Sequence, residues 1–378
     1  MSEHNNTHED EPSINKPAGV PTGKVLVTGG SGHVGNNIVR MLLDEGQEVR
    51  VLVQAGADNR SLEGLDLERV EGDLCNPDSL RRAVEGVARV FHVAAKISTA
   101  NATPQEERSL YAINVLGTRD LLRACLEAEV GRVVLTGSFS ANGFHLDESS
   151  KPANETLPFY PFGGAMPYAH TKALAEHELL KACAEGLDAV IATSCGCIGA
   201  YDYLPSRMGG TICDYIEDRQ HTFVEGGFTW VRATDIAQGH LAAMERGRKG
   251  QKYVFATDFM TLGDIFDAVD EAAGITRRRT QLPINLVGAV ASLYSGALAR
   301  FFPKASQRLT PGSIAVLKMR RGVDDAKARA ELGYSPTNMR EAVQDAVEFF
   351  AREGMISRAT MSSVPRGNAD PDFVHASD

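Results

Sequence analysis

The sequence predicts an α/β fold, a doubly wound parallel sheet with a smaller, mainly helical C-terminal lobe. From Lys24 onward, short β-branched runs alternate with longer helical patterns, which is typical of parallel strands joined by crossover helices. The first run, KVLVTGG, passes directly into a glycine-rich turn. Beyond about Cys195 the alternation loosens and helical patterns dominate, which indicates the second, smaller lobe.

Six runs of the chain have the length and the β-branched composition of buried strands. They are Lys24–Gly30, Glu48–Val53, Glu68–Leu74, Ala88–Ala95, Arg132–Ser138 and Asp188–Ser194. The helical patterns between them cover Val34–Glu45, Asp78–Glu85, Glu106–Glu129 and a stretch that starts near Tyr168. Six strands in this rhythm fit one doubly wound sheet.

The C-terminal part of the chain contains further helical patterns, which predict a lobe packed over the C-terminal edge of the sheet. They are Arg207–Asp218, Thr234–Arg246, Thr261–Ala273, Leu286–Phe302, Pro311–Met319, Asp324–Leu332 and Met339–Glu353. We expect Thr234 or Asp235 to cap the start of its helix, and Gly333 to end the helix before it.

The composition is that of a globular protein whose ligand is a small molecule. Of 378 residues, 43% are hydrophobic and 23% are charged, so the chain can bury a sizeable core. The net charge is -10 and no block rich in Lys and Arg stands out. Because an acidic protein repels a polyanion, nucleic acid is not expected as a partner.

Six cysteines are scattered along the chain, which predicts free thiols in a reducing, cytoplasmic compartment. They are Cys75, Cys125, Cys183, Cys195, Cys197 and Cys213. Cys195 and Cys197 form the close pair, but no His or further Cys lies near them at ligand spacing. We therefore predict no metal site.

The ends of the chain and one internal apolar stretch need separate interpretation. Residues 1–22 are polar and lack the apolar region of a signal peptide, and residues 355–378 are rich in Ser, Pro, Asn and Asp; both are predicted to be disordered. Asn285–Phe302 is apolar but contains Arg300 and is barely long enough to cross a bilayer. It is predicted to be a buried or half-buried helix and not a membrane span.

The segment Thr28–Gly35 reads TGGSGHVG and stands between a predicted strand and a predicted helix. Glycine at Gly29, Gly32 and Gly35 lets the backbone turn and approach a pyrophosphate, which the helix N-terminus attracts. An ordinary strand-to-helix loop is the alternative, but this context favours a dinucleotide-binding Rossmann fold. The predicted contacts are Gly29, Ser31, Gly32, His33, Val34 and Gly35.

The end of the second strand bears on the choice between NAD and NADP. An acid there binds the ribose 2′-hydroxyl, and an Arg accepts a 2′-phosphate. The strand ends instead at Gln54, which slightly favours NADP. Arg60 in the next loop could reach a 2′-phosphate, or could be a solvated surface charge. At the end of the third strand, Asp73, next to Leu74, could accept the adenine amino group, or could be an ordinary turn aspartate.

A tyrosine and a lysine stand four residues apart in Tyr168-Ala169-His170-Thr171-Lys172, which places both on one helix face. An ammonium beside a phenol favours the phenolate and lowers its pKa, as a proton donor to a carbonyl oxygen requires. Ser138 ends the fifth strand, at the sheet edge that faces a cofactor cleft, and can donate a hydrogen bond to the same oxygen.

These motifs together resemble the extended short-chain dehydrogenase/reductases. The resemblance lies in TGGSGHVG, GDL, the HVAA strand end, NVLGT, LTGSFSANG and YAHTK, in that order. Within that family the chain is similar to the dihydroflavonol-reductase-like branch, which includes hopanoid-associated and hydroxysteroid-type enzymes. The late segment DDAKARAELGYSP and the helix after it fit that branch, so the likeness spans Lys24–Glu353.

The resemblance implies a catalytic set and the remaining contacts to a cofactor. Ser138, Tyr168 and Lys172 would be the triad, and Lys172 would also hold the nicotinamide ribose. Asn114 in NVLGT would support a proton relay, or would be a structural helix residue. The nicotinamide half would be lined by Tyr168, Lys172, Ala94, Ala95, Ser194 and Cys195.

Two departures from the family pattern limit this transfer. Relatives usually have proline where this chain has Ser194 and Ala200, which puts the backbone contacts of Ser194 and Cys195 in question. Arg232 stands near the position of a histidine in many relatives, so substrate contacts there are not transferred.

The function predicted is an NAD(P)-dependent carbonyl reductase or alcohol dehydrogenase acting on a small, apolar or aromatic substrate. A nucleotide-sugar epimerase or dehydratase is the first alternative, although Glu225-Gly226-Gly227 stands where such relatives carry an Arg. A dinucleotide-sensing protein without catalysis is the second. We assign 23–195 to the dinucleotide-binding domain and 196–354 to a partly interleaved substrate lobe, and leave a homodimer open.

Overall fold

In the computed structural model the chain is described over residues 22–98, 103–143, 151–159, 166–285, 287, 317–318, 320 and 322–357. Several sequence-based predictions fall wholly or almost wholly outside these residues. They are the leader, the C-terminal tail, and the helices Leu286–Phe302 and Pro311–Met319.

The central sheet has seven parallel strands, and the fold class predicted from the sequence is confirmed. Its strands are β1 (Val25–Thr28), β2 (Val49–Val53), β3 (Glu68–Glu71), β4 (Arg89–His92), β5 (Arg132–Ser138), β6 (Ala189–Ser194) and β10 (Lys252–Phe255). Their order across the sheet is β3-β2-β1-β4-β5-β6-β10. Strand order reverses between β1 and β4, so a crevice is expected at the carboxyl ends of these two strands.

The prediction of six strands was wrong by one, because β10 also pairs with β6. This strand comes late in the chain, after most of the lobe's small strands, so nothing in its local pattern links it to the first six. The division into 23–195 and 196–354 stays a prediction.

Helices pack on both faces of the sheet and bury two apolar layers. They are α1 (His33–Asp44), α2 (Pro77–Val84), α3 (Pro104–Tyr111), α4 (Gly117–Glu127), α5 (Pro167–Ala184) and α7 (Ala233–Arg246). The one long helix predicted over Glu106–Glu129 is divided into α3 and α4 by a π-helical turn at Ala112–Leu116. Such turns insert one residue into the helix and often lie at functional sites.

The remaining elements form the lobe at the C-terminal edge. Its helices are α6 (Arg207–Ile216), α8 (Leu262–Ala273), α9 (Ala326–Leu332) and α10 (Met339–Arg352), and its strands are β7 (Gly196–Ile198), β8 (Thr222–Val224), β9 (Gly227–Arg232), β11 (Asp258–Thr261) and β12 (Thr280–Leu282). Strands β7, β9 and β11 form one small sheet, and β8 and β12 another. A third apolar core joins α6, α8 and α10.

The two predictions of helix ends had different outcomes. Gly333 adopts the left-handed conformation after α9, with φ 66°, as predicted. The predicted cap at Thr234 or Asp235 was wrong, because α7 begins at Ala233 with no side-chain cap. Asp235 is buried and accepts hydrogen bonds from Thr257 and from the backbone and hydroxyl of Thr337.

Candidate active site

The glycine turn after β1 is shaped by two glycines that the protein itself requires. Gly29 has φ 71°, and a Cβ there would lie 2.7 Å from the backbone nitrogen of Ala94. A Cβ at Gly35 would lie 2.1 Å from the carbonyl oxygen of Gly29. The turn therefore packs directly against the chain that follows β4, with no room for side chains at either position.

Gly32 is different, because nothing in the protein demands glycine there. Its φ is -83°, and a Cβ would meet its nearest neighbour, the oxygen of Gly29, at an ordinary 3.4 Å. Gly32 is the N-cap of α1 and makes no side-chain cap, so the first N–H groups of the helix are left for another acceptor. This is a cradle that a Cβ would fill, and it fits a pyrophosphate.

The other predicted residues of this turn support it in different ways. Ser31 accepts a hydrogen bond on its carbonyl from Ser61, 3.0 Å away, and Val34 packs against the core. The His33 ring lies 3.9 Å from the buried carboxylate of Asp202. Its Nε2 atom is buried and has no hydrogen-bond partner among the described residues.

At the end of β2, the predicted adenosine contacts are linked to one another. The Gln54 amide donates to the Asp73 carboxylate at 3.0 Å. Arg60 donates to the carbonyl of Tyr203 at 2.7 Å, while about half of its side chain stays exposed. Leu74 is buried and packs against Gly117, where a Cβ would lie 2.9 Å from it.

Ser138 and Tyr168 meet at the carboxyl end of β5. Ser138 is the last residue of the strand, and its hydroxyl hydrogen-bonds to Tyr168 and lies 2.8 Å from the hydroxyl of Ser140. Burial raises the pKa of the Tyr168 phenol above its usual value, and the Ser138 hydrogen bond opposes this. The phenol therefore keeps its proton, and the lowered pKa that the sequence led us to expect at this donor is not observed.

Lys172 lies one turn further along α5 and is almost completely buried. Its ammonium donates to the carbonyl oxygen of Thr136 at 2.5 Å, and burial lowers its pKa to about 8, with the charge of Glu176 opposing the shift. The sequence led us to expect an ammonium that lowers the pKa of Tyr168. In the structure desolvation dominates at the phenol, and Lys172 is turned toward the strand.

Asn114 lies in the π-helical turn and braces two elements of the site. Its amide oxygen accepts from the Lys96 backbone at 2.7 Å, and its amide nitrogen donates to the Lys96 carbonyl and to the Thr171 hydroxyl, each at 2.9 Å. Thr171 in turn donates to the carbonyl of Tyr168. Asn114 thus ties the chain after β4 to the start of α5.

The last predicted contacts lie at neighbouring strand ends. Ala94 donates through its backbone to the Thr28 hydroxyl at 3.2 Å, and Ala95 follows it at the same edge. Ser194 pairs in register with Ser138 and is followed by Cys195, which packs against the core. Ala94, Ala95, Ser194 and Cys195 therefore lie at the carboxyl ends of neighbouring strands, and their contact with a cofactor stays a prediction.

Arg232, which the sequence analysis identified as a departure from the family pattern, binds residues of the lobe. Its guanidinium binds Asp345 at 2.8 Å and Glu341 at 2.6 Å, and also donates to Thr337. These groups lie on α10 or just before it, so Arg232 fastens that helix to β9.

The sequence reasoning missed the groups around Lys172. His92 lies between the hydroxyls of Thr28 and Thr118, and His240 accepts from the hydroxyl of Thr136 at 2.9 Å. Glu176 forms a buried ion pair with Lys252. The signal for Glu176 was its spacing, one further helical turn beyond Tyr168 and Lys172; Lys252 had none, because it is remote in sequence.

Two other kinds of feature, a membrane-spanning helix and a metal-binding group, are absent from the described residues. None of their helices is long and apolar enough to cross a membrane. No group of three or more His, Cys, Asp or Glu side chains in the described ranges could hold a metal ion.

A doubly wound sheet, a glycine turn and a Ser, Tyr and Lys set at one sheet edge define the class of extended short-chain dehydrogenase/reductases. The model of the NAD dependent epimerase/dehydratase family matches residues 25–256. The chain belongs to this family.

Among characterised sequences the chain is similar to proteins with reductive or sterol-related names. It is 38% identical to sterol demethylase protein B of Methylococcus capsulatus, over 88% of this chain and 99% of that protein. A Stigmatella aurantiaca ketoreductase, acting on 4-hydroxy-2-methyl-3-oxo-4-farnesyl-3,4-dihydroquinoline-1-oxide, is 30% identical over 82% of this chain and 92% of its own.

Solved structures show the same fold. The crystal structure of gox2253 has a TM-score of 0.76 and 34% identity, covering 88% of this chain and 99% of its own. DesIV, a dTDP-glucose 4,6-dehydratase from Streptomyces venezuelae, has a TM-score of 0.70 with 22% identity, covering 88% of this chain and 99% of its own; that likeness concerns the fold alone.

Proposed function

We propose that the protein is an NAD(P)-dependent carbonyl reductase or alcohol dehydrogenase. The observation that carries this proposal is the contact between Ser138 and Tyr168, with Lys172 buried one helical turn away. All three lie at the sheet edge where the glycine turn opens. This is the arrangement needed to protonate and orient a carbonyl oxygen beside a cofactor.

The residues present fit a nicotinamide dinucleotide. The turn Gly29–Gly35 would hold the pyrophosphate, Asp73 and Leu74 the adenine side, and Ala94, Ala95, Ser194 and Cys195 the nicotinamide half. When bound, this group supplies or accepts the hydride. The supporting observation is Gly32, whose missing side chain leaves the space that a pyrophosphate needs.

The side chains divide the work at the carbonyl oxygen. Tyr168 holds the transferable proton, because a phenol is protonated at neutral pH. The Ser138 hydrogen bond opposes the rise in its pKa that burial causes. Ser138 orients the same oxygen through its hydroxyl. Lys172 provides positive charge near the site and would hold the nicotinamide ribose.

For the substrate we propose a bulky apolar ketone, aldehyde or secondary alcohol. The names of the two relatives above refer to a sterol and to a farnesylated ring ketone. Both relatives are at least 30% identical to this chain over most of its length. A nucleotide-sugar substrate is the second candidate. It is supported by the family to which the chain belongs, which includes epimerases and dehydratases, whereas the Glu225-Gly226-Gly227 segment offers no cation for a diphosphate.

The first test is catalytic. A screen of ketones, aldehydes and alcohols, followed by absorbance of the reduced nicotinamide, identifies a substrate. Tyr168→Phe should then lower turnover by about 10²- to 10⁴-fold while dinucleotide affinity stays within about twofold. Lys172→Ala should damage both. Tyr253→Phe removes a phenol that instead binds Glu331, and serves as the matched control.

The outcome separates an enzyme from a dinucleotide-sensing protein. In a sensor the parent protein would bind a dinucleotide but turn over no substrate of the screen, whereas in an enzyme Tyr168→Phe lowers a measurable turnover. Full turnover by Tyr168→Phe on a confirmed substrate would refute the assigned mechanism, whatever the cofactor site does.

A second test concerns the cofactor. We propose that NADPH binds at least as well as NADH, because the residue after β2 is Gln54 and not an acid, and about half of the Arg60 side chain in the following loop is exposed. Arg60→Ala should weaken NADPH binding about tenfold or more and leave NADH unchanged. A preference for NADH that does not respond to Arg60 would point to the Asp73 carboxylate, which Gln54 contacts, as the deciding group.

A further inference from the structure

Glu176 is a buried acid that the proposed chemistry does not use. It lies on the face of α5 that carries Tyr168 and Lys172, one turn beyond the lysine. The residue has no measurable exposure to solvent. Because an unpaired carboxylate is costly to bury, its position needs a reason.

The carboxylate is packed directly beneath the catalytic strand. A Cβ on Gly137, the residue between Thr136 and Ser138, would lie 3.1 Å from Glu176 Oε1 and 2.4 Å from the hydroxyl of Thr193. Glycine at 137 therefore makes the room that the carboxylate occupies. Burial raises the pKa of Glu176, and the nearby charges of Lys252, Lys172 and His177 oppose that rise.

Lys252, the first residue of β10, is the second half of the arrangement. Its ammonium forms an ion pair with Glu176, donates to the amide oxygen of Asn142 at 3.1 Å and lies over the ring of Phe159. The Glu176 carboxylate thus pairs with Lys252 and lies close enough to the Lys172 ammonium for its charge to act on it.

The other groups facing Lys172 do not supply negative charge. Burial lowers the pKa of His92 to about 3 and of His240 to about 4, with the charge of Lys172 contributing, so both rings are neutral. Tyr168 is protonated, and Thr136 offers a carbonyl oxygen. Glu176 is the group whose negative charge raises the pKa of Lys172.

We propose that Glu176, held by Lys252 and packed against Gly137, is a positioning residue whose charge keeps the ammonium of Lys172 protonated where it binds the Thr136 carbonyl. This inference rests on the proposed function, since Lys172 acts there on the ribose and the phenol. The proposal also gives strand β10 a part in the active site, because its first residue, Lys252, pairs with Glu176. Glu176 itself contacts no reacting atom.

The expected effect on pH dependence has a definite sign. Lysine is charged below its pKa, and the pKa of Lys172 is about 8. Glu176→Gln removes the charge that raises this value, so the ammonium is lost at a lower pH. At helical i,i+4 separation in a buried setting, the downward shift is on the order of one pH unit.

Dinucleotide binding measures this without a known substrate. The affinity for NADH or NADPH, whichever binds better, is followed by nicotinamide fluorescence from about pH 6 to about pH 10. In the parent protein affinity should fall as the pH rises past the pKa of Lys172. In Glu176→Gln the fall should begin about one pH unit lower, and Lys172→Ala should abolish it.

A double variant keeps the test informative if Glu176→Gln folds poorly. Glu176→Gln with Lys252→Met removes both buried charges and should regain thermal stability. A structural role predicts that binding then recovers at every pH, whereas a positioning role predicts that the shifted fall remains. As a control, Arg132→Met with Asp188→Asn removes another ion pair, 2.6 Å apart, at the amino ends of β5 and β6. This double variant should leave the pH profile unchanged.

The outcomes separate the two proposals. If the parent protein binds neither dinucleotide, the proposed function fails and this inference fails with it. If the parent binds but both Glu176 variants keep the parental pH profile, the positioning role is refuted while the proposed function stands.

Discussion

Tyr168 and Lys172 share one face of α5, and burial shifts their pKa values in opposite directions. Desolvation disfavours the charged form of each, so it raises the pKa of the phenol and lowers that of the ammonium. For the phenol this shift makes it a weaker acid, and the Ser138 hydrogen bond opposes the shift. A lysine near its pKa needs a compensating charge to stay cationic, and Glu176 provides one.

The residues of the candidate site could be predicted where a local pattern carries them. Glycines before a helix, and a phenol and an ammonium at i and i+4, have a physical reason at that spacing. The direction in which Lys172 turns could not be predicted, because its acceptor is a carbonyl on β5. The pairing of Glu176 with Lys252 could not be predicted either, since it depends on which strand lies beside β6.

Gly32 provides the residue-scale prediction. Because its φ suits any residue and a Cβ meets only ordinary contacts, Gly32→Val should fold with little loss of stability. Its side chain would occupy the pyrophosphate's approach, so NADH and NADPH affinity should fall by about 100-fold or more, roughly 3 kcal/mol. Isothermal titration and a thermal melt check the two expectations.

The control is Gly263→Val, at a lobe glycine where a Cβ would also meet only ordinary contacts, the nearest at 3.5 Å. It should leave dinucleotide affinity unchanged. Parental affinity in a folded Gly32→Val protein would mean that the turn is an ordinary loop and that the dinucleotide binds elsewhere.

At the scale of elements, strands β1 to β6 and helices α1, α2 and α5 to α10 begin or end within a few residues of their predicted bounds. The elements that were not predicted, or whose place was not predicted, are the short strands of the lobe, β10 and the π-helical turn, which depend on contacts distant in sequence. Strand β10 is a short apolar run whose place beside β6 depends on a pairing with no local signal. The π-helical turn interrupts a pattern that favours helix throughout, and it places Asn114 between Lys96 and Thr171.

The caps of α7 illustrate the same limit. A Thr and an Asp at the start of a helix usually bind its free N–H groups. Here Asp235 accepts from Thr257 and Thr337, while Arg232 binds Glu341 and Asp345. Long-range bonds to the segment before α10 and to α10 itself replace local capping, so this element connects the sheet to the lobe.

At the scale of the whole molecule, two neutral histidines link folding to pH. His92 accepts from Thr28 and donates to Thr118, since the Thr118 hydroxyl is itself the donor to Asn114. His240 donates to the Ile236 carbonyl and accepts from Thr136. In the neutral form of each ring both nitrogens are therefore hydrogen-bonded. Burial lowers the pKa of His92 to about 3 and that of His240 to about 4.

This depression predicts acid-sensitive stability. In the unfolded chain both imidazoles bind protons near pH 6.5, whereas in the folded protein they do not until about pH 4 or below. Between these values the unfolded state holds two more protons, so these groups lower the free energy of unfolding as pH falls, by up to about 2.7 kcal/mol per pH unit. Acids with raised pKa values, such as Glu155 and Asp345, act in the opposite direction.

His240→Gln isolates one of the two contributions. The amide can still accept from Thr136, but it cannot bind a proton, so the slope of unfolding free energy between about pH 6.5 and about pH 4.5 should become shallower by about one proton, or about 1.4 kcal/mol per pH unit. Urea unfolding at several pH values gives that slope. His221→Gln, at a side chain more than half exposed, should change it less. An unchanged slope in His240→Gln would contradict this prediction. It would mean that the folded protein protonates this ring as readily as the unfolded chain does, despite its burial between Thr136 and Ile236.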